Sequence, residues 1–372
     1  MAAPILNPRD LEFMLYELFD AESLIQRPRY QDHDRHTFNE VIATGKTLAE
    51  KYFLPIRQKL DTEQPTFDGT QVHTIPELKT AYDAVVASGF SSATADYEHY
   101  GMQLPPIVAN VASAYLSAAG STALGYTALT NANANLLETH GSPELIERWV
   151  KPMREGRFAG TMAMTEPDCG SALGDLTTSA QLAADGQYRI TGNKIFISGG
   201  DHSLTDNIVH LVLARIKGAP KGVKGISLFV VPKILVNADG SLGDRNDVAL
   251  AGLFHKMGGR GHTSTALSFG EKDGAIGYLV GEENKGLFYM FHMMNEARLN
   301  VGFQGSSAAS MAYLYALDYA KQRIQGKDLA GIKNPEAKSI PIIRHPDVRR
   351  MLTWMKAHVD GMRSLLYYVT AC

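Results

Sequence analysis

The residues best suited to chemistry lie between Thr161 and Gly200, in the stretch TMAMTEPDCGSALGDLTTSAQLAADGQYRITGNKIFISGG. Two hydroxyls, Thr165 and Ser198, and one aromatic ring, Phe196, stand at the ends of two strand-like runs. Residues 161–164 read as a strand halted by Thr165-Glu166-Pro167, because proline offers no ladder donor and confines Glu166 to extended or turn geometry. Asp168-Cys169-Gly170-Ser171 then forms a loop whose glycine permits close backbone approach. Residues 177–182 and 188–191 read as a hairpin around Asp185-Gly186. Gly192-Asn193 reads as a further turn, and 194–197 as the next strand, closed by Ser198-Gly199-Gly200. Side by side, the two strand ends would offer two hydroxyls and a ring to one ligand. The same pattern describes an ordinary β-hairpin whose Thr and Ser are turn residues, and spacing alone leaves both readings open. Cys169 has no paired base in view and reads as an incidental loop cysteine rather than a nucleophile.

The elements that must position these residues follow from periodicity. Asn7 caps a helix with Pro8 at its first position and Leu11, Met14, Leu15, Leu18 and Phe19 on one face. Phe38, Val41, Ile42, Leu48, Ala49 and Tyr52 mark a second helix, and residues 59–74, polar with Pro65 and Asp68-Gly69, read as a loop. Ile75-Pro76-Glu77 opens another helix. Leu104-Pro105-Pro106 introduces a long small-residue segment to Leu137, with Gly120 and Gly125 within it, read as a buried helix or helix pair, and Ser142-Pro143-Glu144 caps a short one. From Phe158 the period changes to two, with strands at 208–216, 225–231 (stopped by Pro232), 266–269 and 278–280, a density that suggests a small barrel or sandwich. Gly281-Glu-Glu-Asn-Lys-Gly286 returns the chain to helix at 287–323, and a last helix starts near Pro346 and runs to the last residue.

Composition bounds the function. At 372 residues, with 45% hydrophobic and 20% charged, the chain is of globular type and long enough for two or three domains. A net charge of −3 gives no electrostatic case for nucleic acid or an anionic membrane surface. Cys169 and Cys372 supply neither a disulfide framework nor a metal-ligand spacing, which suits a reducing compartment. The N-terminus MAAPILNPRD lacks the features of a signal peptide, and no stretch is read as reaching the ~20 apolar residues that span a bilayer. A cytoplasmic protein without membrane or nucleic-acid partners is the expectation.

Thr-Glu-Pro, then Gly-Ser in a loop, a hairpin, and Gly-x-Lys-x-aromatic-Ile-Ser with glycine after it resemble the flavin-binding β-domain of the acyl-CoA dehydrogenase family. Further elements extend the resemblance in the same order: His255-Lys-Met-Gly258 with Thr263-Ser264-Thr265; Leu279-Val-Gly-Glu-Glu-Asn-Lys-Gly286; Met294-Asn-Glu-Ala-Arg298; and Tyr319-Ala-Lys-Gln-Arg323. With the extra N-terminal helix and His345-Pro-Asp-Val-Arg-Arg350, they are similar to a long bacterial branch acting on fatty acyl-CoA and on methylthiopropanoyl-CoA. The resemblance implies an α+β fold: an N-terminal helical domain (1–155), a middle β-barrel or sandwich binding flavin and acyl-CoA (156–283), and the start of a C-terminal helical bundle (284–372), incomplete here.

The implied activity is FAD-dependent α,β-dehydrogenation of an acyl-CoA in fatty acid metabolism, with electrons passed to an electron-transfer flavoprotein. By the resemblance, Met162, Met164 and Thr165 face the flavin, Ser198 bonds to its N5, and Phe196 stands where many members place a tryptophan on the ring. Ser171 matches a CoA contact, and Arg323 matches an arginine that reaches the FAD diphosphate of a neighbouring subunit, implying a homodimer or homotetramer. The same arginine also reads as an ordinary helix-end cation. The family's base is expected beyond Cys372. Glu296 is the candidate within the chain, but it lies one residue, about 100° around the helix, from the alternative family position at Ala297, and so reads as a solvated or salt-bridged glutamate. His255 and His345 read as structural or surface residues, and no metal is expected. An oxygen-using flavoprotein, a non-catalytic flavoprotein, or an inactive fragment exposing Met351, Leu352, Met355, Val359 and Met362 are the alternatives.

Overall fold

The computed structural model describes residues 4–371; Met1, part of the N-terminal reading above, and Cys372 lie outside them. The chain forms two compact units: residues 1–49, 104–119 and 299–372, and residues 50–103 and 120–298. The main helices are α1 (Arg35–Leu48), α2 (Pro76–Ala87), α3 (Pro106–His140), α4 (Gly286–Gln322) and α5 (Pro346–Ala371). The main strands are β1 (Phe158–Ala163), β2 (Ser179–Leu182), β3 (Tyr188–Ser198), β4 (Asn207–Ile216), β5 (Ile226–Pro232), β6 (Val248–Leu253), β7 (Ser264–Phe269) and β8 (Ala275–Leu279).

The first unit is helical. Asn7 caps the short helix Pro8–Glu12 through its side chain, after which Phe13–Leu18 winds as a π-turn. That wider turn rotates the face: Leu11, Met14 and Leu15 are buried, but Leu18, expected beside them, is exposed. Gly45 of α1 meets the Ala112 carbonyl of α3 at 2.6 Å from where a Cβ would stand, so only glycine permits this approach. Buried Arg363 of α5 donates to Ser310 of α4 at 2.6 Å. Leu352 and Val359 are buried within this unit, whereas Met351, Trp354, Met355, Met362 and Leu365 of the same helix are exposed.

In the second unit the strands follow the order β6-β7-β3-β8-β5-β4-β1, and β2 pairs with both β3 and β4. That double pairing closes β3, β8, β5, β4 and β2 into a barrel. Ala180, Ile190, Val212, Phe229, Val231 and Phe269 fill one side of the walls, while Val209, Leu211, Leu228 and Val230 pack instead with Leu136, Trp149, Val150 and Met290 of the helices. Strands β4 and β5 are therefore apolar on both faces, which is why they read as continuous hydrophobic runs. Burying each such side chain contributes about 1.5–3 kcal/mol.

Several local readings change in three dimensions. Residues 59–74 contain the end of a helix (Arg57–Thr62) and a two-stranded hairpin (Thr66–Phe67 with Val72–His73), organised by Asp68, whose carboxylate accepts from the backbone N–H groups of Thr70 and Gln71. Segment α3 is long and apolar enough to cross a membrane by length and composition, contrary to the sequence reading, yet it is two helices joined across non-helical backbone at Gly120, and its most apolar stretch is mostly buried within the protein. Gly192-Asn193 is no turn: β3 runs straight through it. The glycine is there because Thr178 crosses it, its Oγ1 only 2.4 Å from where a Cβ would stand. Gly192→Ala is accordingly expected to destabilise this unit by about 1–3 kcal/mol, read as a lower urea midpoint with an unchanged m-value.

Candidate functional site

The site is built where β1 ends beside β3. The Ile195 N–H donates to the Thr165 carbonyl at 2.9 Å, which places the first strand end against the second. Underneath, Lys194 points into the protein, with its Nζ donating to the Met164 carbonyl (3.0 Å) and to Glu166 Oε1 (2.9 Å). Glu166 also accepts from the Thr177 N–H and hydroxyl, both at 2.7 Å, and from the Thr178 N–H at 3.0 Å. Both members of the pair are buried. Burial alone would push the Glu166 carboxyl up, but Lys194 and the threonine donors outweigh it and hold it at about 2. The ionised pair ties three segments, 164–166, 177–178 and 194, into one rigid base.

On that base stand the residues singled out above. Met162 and Met164 are half-buried against the helical side of the barrel, and Thr165 is half-buried at the strand end. Phe196 adopts a left-handed backbone (φ 57°), where the β3–β7 register shifts between Thr265 and Leu267. This is a β-bulge, and a non-glycine residue in that conformation costs about 1–2 kcal/mol. The bulge turns the Phe196 ring outward: it packs on Phe254 with centroids 4.4 Å apart yet remains 51% exposed. Lys256 Nζ lies 5.9 Å from the ring centre. Ser198 is half-buried and pairs with Ser264, whose own hydroxyl is buried and makes no hydrogen bond within the chain; nor does the adjacent Thr263 hydroxyl. An apolar ring face, half-open methionines and spare hydroxyls suit a flat heteroaromatic ligand with polar edges. Ser171 is exposed in the following loop. Cys169 is buried, its thiol donating to the Ala172 carbonyl at 3.1 Å, and burial raises its pKa, which disfavours the thiolate a nucleophile needs.

Glu296 lies elsewhere in the same unit. It is half-buried rather than solvated, and its Oε2 accepts from Asn135 Nδ2 at 2.9 Å. Asn135 Oδ1 in turn accepts from Arg154 at 2.6 Å, and Arg154 is ion-paired with Glu138 at 2.8 Å. Burial raises the Glu296 carboxyl, with Asn135 and nearby His292 opposing. Arg323, in the first unit, directly follows α4, and its carbonyl accepts from the Ile342 N–H at 2.8 Å. His255 bonds Gln64 at 2.9 Å and His345 the Gln325 carbonyl at 2.7 Å. No group of His, Cys, Asp and Glu among the described residues could hold a metal ion.

Sequence reading missed the Lys194–Glu166 pair, although a signal was present. Tyr188, Ile190 and Lys194 share the inward phase of β3, so a lysine there needed a buried partner. It also missed the group of buried Tyr126 and His202 with half-buried His262 behind Gly199, which no local spacing announces.

Residues 161–271 match the family model described as acyl-CoA dehydrogenase, middle domain. The chain is 40% identical over 355 residues to a 3-methylmercaptopropionyl-CoA dehydrogenase of Ruegeria pomeroyi, covering 94% of this chain and 59% of that protein. It is 36% identical over 372 residues to a butyryl-CoA dehydrogenase of Syntrophomonas wolfei, covering 96% and 60%. The chain thus spans about three fifths of the length of these relatives. Among solved structures, the butyryl-CoA dehydrogenase of Megasphaera elsdenii shares the fold with a TM-score of 0.70 at 20% identity, covering 89% of this chain and 78% of that one.

Proposed function

Because the chain belongs to the acyl-CoA dehydrogenase family, we propose that it binds FAD at the bulged strand end and serves the α,β-dehydrogenation of an acyl-CoA thioester. The observation that carries this reading is the convergence of Thr165 with Phe196 and Ser198 on the Lys194–Glu166 base, beside hydroxyls that the chain itself leaves unpaired. Bound FAD supplies the two-electron acceptor for the hydride leaving the substrate β-carbon. The residues of this chain do the rest. Phe196, Met162, Met164, Thr165 and Ser198 would hold the flavin, Phe196 by its open face and Ser198 through its hydroxyl toward N5. Ser171 is assigned to the CoA portion, and Arg323 to the FAD diphosphate of a second copy in a homo-oligomer. An electron-transfer flavoprotein is the proposed acceptor of the electrons.

The α-proton must go to a carboxylate. Glu296 is engaged by Asn135, so we assign the base to a carboxylate outside residues 1–372 and keep Glu296 as the alternative within them. The test is an anaerobic titration of the flavin-loaded chain with butanoyl-, octanoyl- and methylthiopropanoyl-CoA. A flavin band that shifts without bleaching is the expected result. Bleaching would move the base to Glu296, and a chain that takes up no flavin would sink the cofactor assignment.

A further inference from the structure

Behind Ser198 the chain makes a left-handed turn at Gly199 (φ 68°), whose N–H donates to the Thr263 carbonyl at 2.9 Å. That carbonyl also accepts from His262 Nδ1 at 3.0 Å, so the ring proton sits on Nδ1. At its other end the Thr263 N–H donates to the Tyr126 hydroxyl at 2.9 Å. The rings of Tyr126 and His262 are stacked, 4.0 Å between centroids and 24° apart in plane. The stack also forms the floor under the turn: a Cβ on Gly199 would lie 3.5 Å from His262 Cε1 and 3.6 Å from Tyr126 Cδ1. His262 in turn packs against Gly125 of α3, its Cδ2 2.9 Å from where a Cβ would stand, so the ring occupies space that only glycine leaves open. Buried His202 meets the Tyr126 ring edge-on at 5.0 Å and is itself held by the Leu204 N–H at 3.2 Å.

We infer that Tyr126 and His262 are positioning residues for Ser198. They hold the Thr263 peptide, which holds Gly199, and so they set where the neighbouring hydroxyl points. The inference rests on the reading of Ser198 as a flavin contact. A residue that merely filled space would weaken FAD binding independently of Ser198, whereas one acting through Ser198 has nothing left to contribute once that hydroxyl is gone.

The test is a double-mutant cycle of Ser198→Ala and Tyr126→Phe on the whole chain, read as the FAD dissociation constant from quenching of flavin fluorescence. The circular dichroism and thermal midpoint of each flavin-free variant are recorded alongside. Ser198→Ala is expected to weaken FAD about tenfold, Tyr126→Phe several-fold, and the double variant no more than Ser198→Ala alone. If the losses multiply, the positioning role is refuted while the Ser198 contact stands. If Ser198→Ala leaves FAD affinity unchanged, the contact itself is refuted and the inference with it. Should Tyr126→Phe fold poorly, His262→Phe keeps an aromatic stack, removes the Nδ1–H, and carries the same comparison.

Discussion

Lys194→Met is expected to destabilise the barrel unit by about 3–5 kcal/mol and to weaken FAD binding, because it strands the buried Glu166 carboxylate and frees the Met164 carbonyl. The loss has two parts that a second substitution separates. In Lys194→Met/Glu166→Gln the uncompensated charge is gone, so the double variant should be more stable than Lys194→Met, though still weaker than the parent for want of the link to Met164. Urea unfolding of the three proteins checks this. A Lys194→Met loss below about 1 kcal/mol would mean the pair is not the base of the site. The pair also predicts a response to acid. The Glu166 carboxyl is held at about 2, below its unfolded value, so its contribution is present above about 4.5 and is lost as pH falls toward 2.

A larger acid response should appear at milder pH. His202, His210 and His262 each have a buried Nε2 without a hydrogen bond in the chain. Burial holds His202 and His210 at about 3 and His262 at about 4, with Lys233 opposing the charge of the first two and Lys256 that of the third. The folded values lie below the unfolded one near 6.5, so the unfolded chain binds up to three more protons and stability falls as pH is lowered from about 6.5 toward 4. Each histidine contributes up to about 1.4 kcal/mol per pH unit where its unfolded form is charged and its folded form neutral, so the three together reach at most roughly 4 kcal/mol per unit near the middle of that window. Urea midpoints measured at pH 7, 6 and 5 should therefore drop steeply. His210→Asn, which keeps a partner for the Thr161 hydroxyl now 2.8 Å from Nδ1, should reduce the slope to about two thirds. A flat profile across that range would show that these imidazoles are already charged in the folded protein.

What the sequence determined by itself are the features whose cause lies within a few residues. The Asn7 and Ser142 caps, the proline after Glu166 and the left-handed Gly186 in its hairpin act locally, and each element appears where its spacing puts it. The helix–strand–helix order and the candidate Thr165, Phe196 and Ser198 were legible for the same reason, with a family resemblance supplying their roles. What only the tertiary structure decided depends on partners far apart in the chain. Gly192 looks like a turn residue until Thr178 is seen crossing it, and the barrel closes only because Ser179–Leu182 finds two neighbours. Strand Val248–Leu253 escaped notice because its burial alternates weakly at a sheet edge. Lys194 is a surface residue by type, and it is buried because Glu166, 28 positions earlier, is there to receive it. The low pKa values of the histidines come chiefly from burial, and no local spacing announces them, since desolvation is a property of the packed interior.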